Sequence, residues 1–82
     1  MTYETVKRVI DQWDPIGLLA IGCPEDEYSI EVKIIVNNIH KDATVHDVTK
    51  IIFNVFTEMF GEDLFTNDLI ECEEIAFQIL AQ

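Results

Sequence analysis

Of the three glycines and two prolines in this chain, Pro15, Gly17, Gly22 and Pro24 lie within ten residues of one another, and Gly61 stands alone. Proline blocks helical geometry in the residue before it, and glycine weakens both helices and strands. That single interruption cuts the sequence into a short leading segment and a longer body. It also limits the regular elements to a few segments with brief turns between them.

Hydrophobic spacing identifies those segments. Tyr3, Val6, Ile10 and Trp13 recur every three or four residues, so Thr2 to Asp14 is predicted as an amphipathic helix that stops at Pro15. Val45, Val48, Ile51, Ile52, Phe53, Val55, Phe56, Met59 and Phe60 cover more than half of a helical circumference, as a centrally placed helix would. Thr44 followed by Asp47 reads as a capping box for it, and Gly61 as its stop. A last helix is predicted from Asn67 to Leu80, capped by Asn67 or Asp68, with Leu69, Cys72, Ile75, Ala76, Ile79 and Leu80 inward and Ile70 and Phe77 widening that face.

Residues 25–41 fit two patterns equally well. Tyr28, Ile30, Val32, Ile34 and Val36 alternate as in a half-buried strand, while Tyr28, Val32, Ile35, Val36 and Ile39 share one helical face. Pro24-Glu25-Asp26-Glu27 resembles a helix start, and the run is long against a typical strand of about 5–6 residues, so a helix is predicted. The expected fold is therefore all-α: one domain over residues 1–82, a small antiparallel bundle of about four helices.

Composition sharpens this reading. The 82 residues are 49% hydrophobic. A domain of this size hides only about 60–65% of the surface of its unfolded chain, so some apolar area is expected to be exposed or covered by a partner. The stretch Ile16 to Cys23 is itself mostly apolar, which is unusual for a connection. Sixteen acids against five bases give a net charge of −11. Such a chain repels nucleic-acid phosphate and anionic lipid; its acidity either serves solubility alone, the plainer reading, or steers it toward basic partners. No apolar run reaches the ~18 residues of a membrane span. Met1-Thr2-Tyr3-Glu4 has neither the basic start nor the apolar run of a secretory leader, so the expected compartment is the cytoplasm, with Cys23 and Cys72 as free thiols.

Chemistry-bearing motifs are scarce. No catalytic residues, metal or cofactor are expected. Cys23, Cys72, His40 and His46 lack the two-to-four-residue spacing of zinc ligands. The acids from Glu62 to Glu71 lack the ligand pattern of a calcium loop. Ser29 sits in no nucleophile elbow. Glu73 projects toward the apolar arc of the last helix, either as a buried acid with a raised pKa or as a rim carboxylate reaching water.

The region Trp13 to Tyr28 is the candidate binding site, and two readings of it are open. In one, Trp13, Ile16 and Tyr28 anchor a partner while Asp14, Glu25, Asp26 and Glu27 answer its basic groups. In the other it is a helix–loop–helix joint, in which Trp13 seals the core and Asp14 binds loop N–H groups.

Trp13-Asp14-Pro15-Ile16-Gly17 followed by Pro24-Glu25-Asp26-Glu27-Tyr28 resembles the YugE-like family of short Bacillus proteins, most firmly over residues 5–36, with Phe56-x-x-x-Phe60-Gly61 as a weaker match. The resemblance implies an all-helical fold and no assigned activity. Similar Trp-Asp-Pro and Asp-Glu-Tyr elements occur in small bacterial proteins of the immunity type, which implies a binding role by analogy. The function expected is thus a small non-enzymatic interaction protein whose partner is basic or offers an apolar groove. The alternative is a self-associating dimer, and a small enzyme or metal carrier comes third.

Overall fold

Among the described residues, three of the helices start at a side chain that caps their first turn: Thr2, Thr44 and Asp68. The computed structural model describes residues 2–82. Helix α1 spans Tyr3–Trp13 and is capped by Thr2, whose hydroxyl accepts from the Thr5 N–H at 3.2 Å. It ends at Asp14, in left-handed geometry (φ 47°), just before Pro15. Asp tolerates that conformation better than most residues because its short side chain bonds locally. Val6, Val9 and Ile10 are buried, and Tyr3 and Trp13 are half-buried against the same core.

Helix α2 spans Ser29–Asn38, so the helical pattern prevails over the alternating one. Ile30, which a strand would bury beside Val32, is exposed, whereas Tyr28, Val32 and Ile35 are fully buried. The helix starts later than the acids of residues 25–27 suggest. Those residues form turns, closed by Glu27 N–H to Pro24 O (3.1 Å) and Ser29 N–H to Asp26 O (3.0 Å).

Helix α3 spans Val45–Leu64. The Thr44–Asp47 capping box forms in both directions, at 3.2 Å and 3.0 Å, so the shorter acid suffices. Gly61 interrupts the helix as expected, at φ 78° and ψ 166°, a conformation open in practice only to glycine. One further turn follows to Leu64, and the chain then folds back to bury Phe65. Helix α4 spans Leu69–Leu80, capped by the Asp68 carboxylate, which accepts from the Glu71 N–H at 2.9 Å.

The helices close a ring: α1 packs on α2 and α4, and α3 packs on α2 and α4. This is the small all-α bundle expected. Phe56, fully buried, is its hub. Trp13 and Tyr28 meet its ring edge-on at 5.7 and 6.0 Å between centroids, while Phe60 and Phe65 stack on it at 5.9 and 5.4 Å. One side chain of α3 therefore ties together α1, the start of α2 and the return after Gly61. Such aromatic pairs stabilise by about 0.5–1.5 kcal/mol beyond area burial. Among the described residues, no helix is long and apolar enough to cross a membrane.

Candidate functional site

The apolar connection between α1 and α2 is held down by one polar pair. The Tyr28 hydroxyl donates to Asp14 Oδ1 at 2.5 Å and accepts from the N–H groups of Ile16 (3.2 Å) and Leu18 (3.4 Å). The Asp14 carboxylate also accepts from the N–H groups of Leu19 (3.1 Å) and Ala20 (3.0 Å). Four loop N–H groups thus converge on two side chains, which satisfies donors that a half-buried loop would otherwise leave unpaired. Gly17 (φ 80°) and Gly22 (φ 93°) supply the left-handed turns on either side.

Electrostatics follow this geometry. Burial alone would favour the neutral acid at Asp14, but the hydrogen bonds from Tyr28 and from the Leu19, Ala20 and Leu18 N–H groups outweigh it and hold the carboxyl below its ordinary range. Burial, together with the hydrogen bond to Asp14, pushes the Tyr28 phenol up to about 12. The pair is a proton-bearing phenol on a carboxylate, stable across the neutral range.

Tyr28 therefore cannot present its ring to a partner in this fold. It is fully buried, and its hydroxyl makes three bonds inside the molecule. Asp14 is likewise engaged inward. Ile16, Leu18 and Leu19 pack on the core, whereas Ile21 at the loop tip is 77% exposed. Glu25, Asp26 and Glu27 are exposed on the turns that follow. Glu25 is linked to α1 through its carbonyl, which accepts from Lys7 Nζ at 3.1 Å, and Lys7 also pairs with Asp11 at 2.5 Å.

Trp13 separates from this group. It is half-buried, and its open side lines a cleft of about 360 Å³ between α1 and α4, with Gln12, Glu71, Glu74, Ile75 and Gln78. The residues expected to form one surface are thus divided into an internal joint (Asp14, Ile16, Tyr28), an exposed acidic turn (Glu25, Asp26, Glu27) and a cleft wall (Trp13). The cleft pairs residues about sixty positions apart, which no local spacing could reveal.

Of the two readings of Glu73, the rim carboxylate holds: it is exposed, beside His46, Thr49, Lys50, Leu69 and Ile70, and the carboxylate that is buried is Glu31 on α2. Glu31 is 4% exposed, and its Oε1 has no hydrogen-bond partner. Burial, with a smaller contribution from Glu27, raises its pKa. Its position between Ile30 and Val32, with Lys33 close by, gave no signal of burial. Cys72 is buried and Cys23 half-buried, both as free thiols. Burial, reinforced by Glu71 and Asp68, pushes the Cys72 thiol up to about 12, far from a nucleophilic thiolate. Among the described residues, no three His, Cys, Asp or Glu side chains gather as a metal site.

Residues 5–82 match the family described as a domain of unknown function, DUF1871, and the chain belongs to that family. No curated protein and no solved structure matches it.

Proposed function

We propose that this DUF1871 member is a small non-enzymatic interaction module of the cytoplasm that engages a basic protein partner. The observation that carries the reading is the combination of net charge −11 with large apolar side chains left exposed, Ile21 and Phe77 among them. Acidity steers a basic partner in, and uncovered apolar groups give it something to bury. The exposed Glu25, Asp26 and Glu27, next to the Ile21 loop tip, suit such a partner. The finer placement among YugE-like Bacillus proteins rests on the Trp13–Gly17 and Pro24–Tyr28 elements, and an immunity-like inhibitor of a basic toxin is the most concrete version of the reading.

Trp13 and Ile16 are poor probes of binding, because both pack on the core and their loss would be read as instability. The informative variant changes Ile21→Ser with Glu25, Asp26 and Glu27→Gln. The immobilised chain should retain a basic protein from a lysate of its source cells, release it as salt rises, and lose it in that variant. If it retains nothing beyond what a folded acidic control protein of equal charge retains, the reading fails.

A second reading, self-association, is favoured by α4. Leu69, Ile70 and Phe77 are 52%, 71% and 62% exposed along one helix. Closed two-fold dimers are the commonest way for a small chain to cover such a face. Light scattering at micromolar concentration would show twice the chain mass, and a clean monomer would eliminate this version.

A further inference from the structure

The cleft between α1 and α4 has a wall, a rim and an electrostatic sign that together specify a ligand. Trp13 and the buried Ile75 form its apolar part, and the exposed Gln12, Glu71, Glu74 and Gln78 surround it. No Lys, Arg or His lines it. Helix α1 ends there, with Gln12 and Trp13 in its last turn and no basic residue in that turn. The negative end of the α1 dipole therefore adds to the acidic sign of the cleft, and the cation paired with this turn, Lys7 on Asp11, does not line it.

Trp13 adds what carboxylates alone would not. Its indole is fixed by edge-on contacts with Phe56 (5.7 Å) and Phe65 (6.0 Å), so it is held in place before any ligand arrives. Indole is the best aromatic partner for a cation, and a planar guanidinium can stack on it while donating to carboxylates and amide oxygens at its edge. Asn67 already donates to Glu71 Oε2 at 2.7 Å, which steadies that carboxylate and leaves Oε1 available. The nearest native guanidinium on the α1–α4 seam is Arg8. It is bound to the Gln82 side-chain oxygen and does not line the cleft.

We propose that this cleft receives an arginine side chain of the partner, stacked on Trp13 and held by Glu71 and Glu74. The assignment rests on the reading of the chain as a module for a basic partner, and it names the point of attachment. Lysine, a compact and strongly hydrated charge, fits an indole-walled cleft with several spread acceptors less well than a flat guanidinium.

Trp13 is the sole tryptophan, so its emission reports the cleft directly. The probe is acetyl-Gly-Arg-Gly-amide, with the citrulline peptide as a neutral control of the same shape. The arginine peptide should change Trp13 emission saturably in the millimolar range and shift the backbone amide resonances of Gln12, Glu71, Glu74 and Gln78. The citrulline peptide should bind at least tenfold more weakly, and the Glu71→Gln/Glu74→Gln double variant should lose at least tenfold. Equal titrations by the two peptides, full retention by the double variant, no saturable response, or resonance shifts centred on Glu25–Glu27 instead would each overturn the assignment. If the double variant still retains the cellular partner, the cleft assignment fails and the module reading stands. If the native chain retains no more basic protein than the acidic control while the arginine peptide titrates as expected, the module reading fails and the affinity of the cleft for arginine stands.

Discussion

Residues 14–28 and the outer face of α4 are both rich in apolar side chains, and they dispose of them in opposite ways. In the loop, Ile16, Leu18 and Leu19 lie against the core because the Asp14–Tyr28 pair collects the backbone N–H groups around them. On α4, Leu69, Ile70 and Phe77 stay in solvent, with Glu73 exposed among them, while Cys72, Ile75, Ala76 and Ile79 fill the inner arc. Apolar content alone does not decide burial. A loop can be drawn inward when its polar backbone has buried partners. A helix already satisfies its own backbone, so its orientation follows the larger of its two apolar faces.

The largest predicted effect would break the loop's half of that contrast. Asp14→Ala removes the acceptor of three hydrogen bonds and leaves the Tyr28 hydroxyl buried without its acceptor. It also puts alanine at φ 47°. A loss of about 2–4 kcal/mol is expected in urea unfolding. Tyr28→Phe keeps the buried ring and removes only the hydroxyl, so its loss should be about 1–2 kcal/mol. If both variants unfold like the native chain, the joint does not organise the loop.

Much of the fold was legible because helical periodicity is local. The α1 boundaries, the Thr44–Asp47 capping box, the Gly61 break and the Asp68 cap each follow from residues within one or two turns. The start of α2 was not legible, because Tyr28 is placed by Asp14, fourteen residues earlier. The reading of residues 13–28 as a joint or as a surface turned on the same contact: side-chain chemistry suggested Asp14 as an acceptor but could not supply Tyr28 as its donor. The α4 outer face was predicted too broadly inward, since a helical projection shows how wide an apolar arc is but not how much of it the neighbours α1 and α3 can cover. Glu31 was missed for a related reason. A carboxylate is expected outside, and only the packing of α2 between α1 and α3 puts it inside.

Acid titration sharpens the contrast through two carboxyls of opposite character. Glu31 is held above its ordinary pKa by burial. Its contribution is therefore fully present below the unfolded carboxyl pKa and is lost as pH rises through the folded value, so at neutral pH its charge destabilises the fold. Asp14 is held below its ordinary pKa, so its contribution is present at neutral pH and is lost as pH falls through that depressed value. Stability should rise on mild acidification and fall on strong acidification. Relief of the repulsion within a chain of net charge −11 also contributes to the rise, so the difference between native and Glu31→Gln curves isolates Glu31. Glu31→Gln should raise the melting temperature at pH 7 and flatten the mild-acid rise while keeping the strong-acid fall. An unchanged melting temperature at pH 7 would mean that the Glu31 carboxylate finds water or a partner in solution.

The smallest effect is expected on α4, and its size is informative in itself. Ile70→Gln and Phe77→Gln replace side chains already 71% and 62% exposed, so an isolated molecule loses almost no burial. Each should change stability by no more than about 0.5 kcal/mol. A second copy bound across this face would reverse that expectation, because association stabilises the folded state by mass action and makes the melting temperature depend on protein concentration. Melting curves of the native chain and of the double variant over a hundredfold concentration range therefore decide whether this face is free. Concentration-independent, superimposable transitions leave the face available to a different protein. A native transition that rises with concentration and falls in the variant would show that α4, like the loop, has its apolar side chains covered after all, by a second molecule rather than by its own fold.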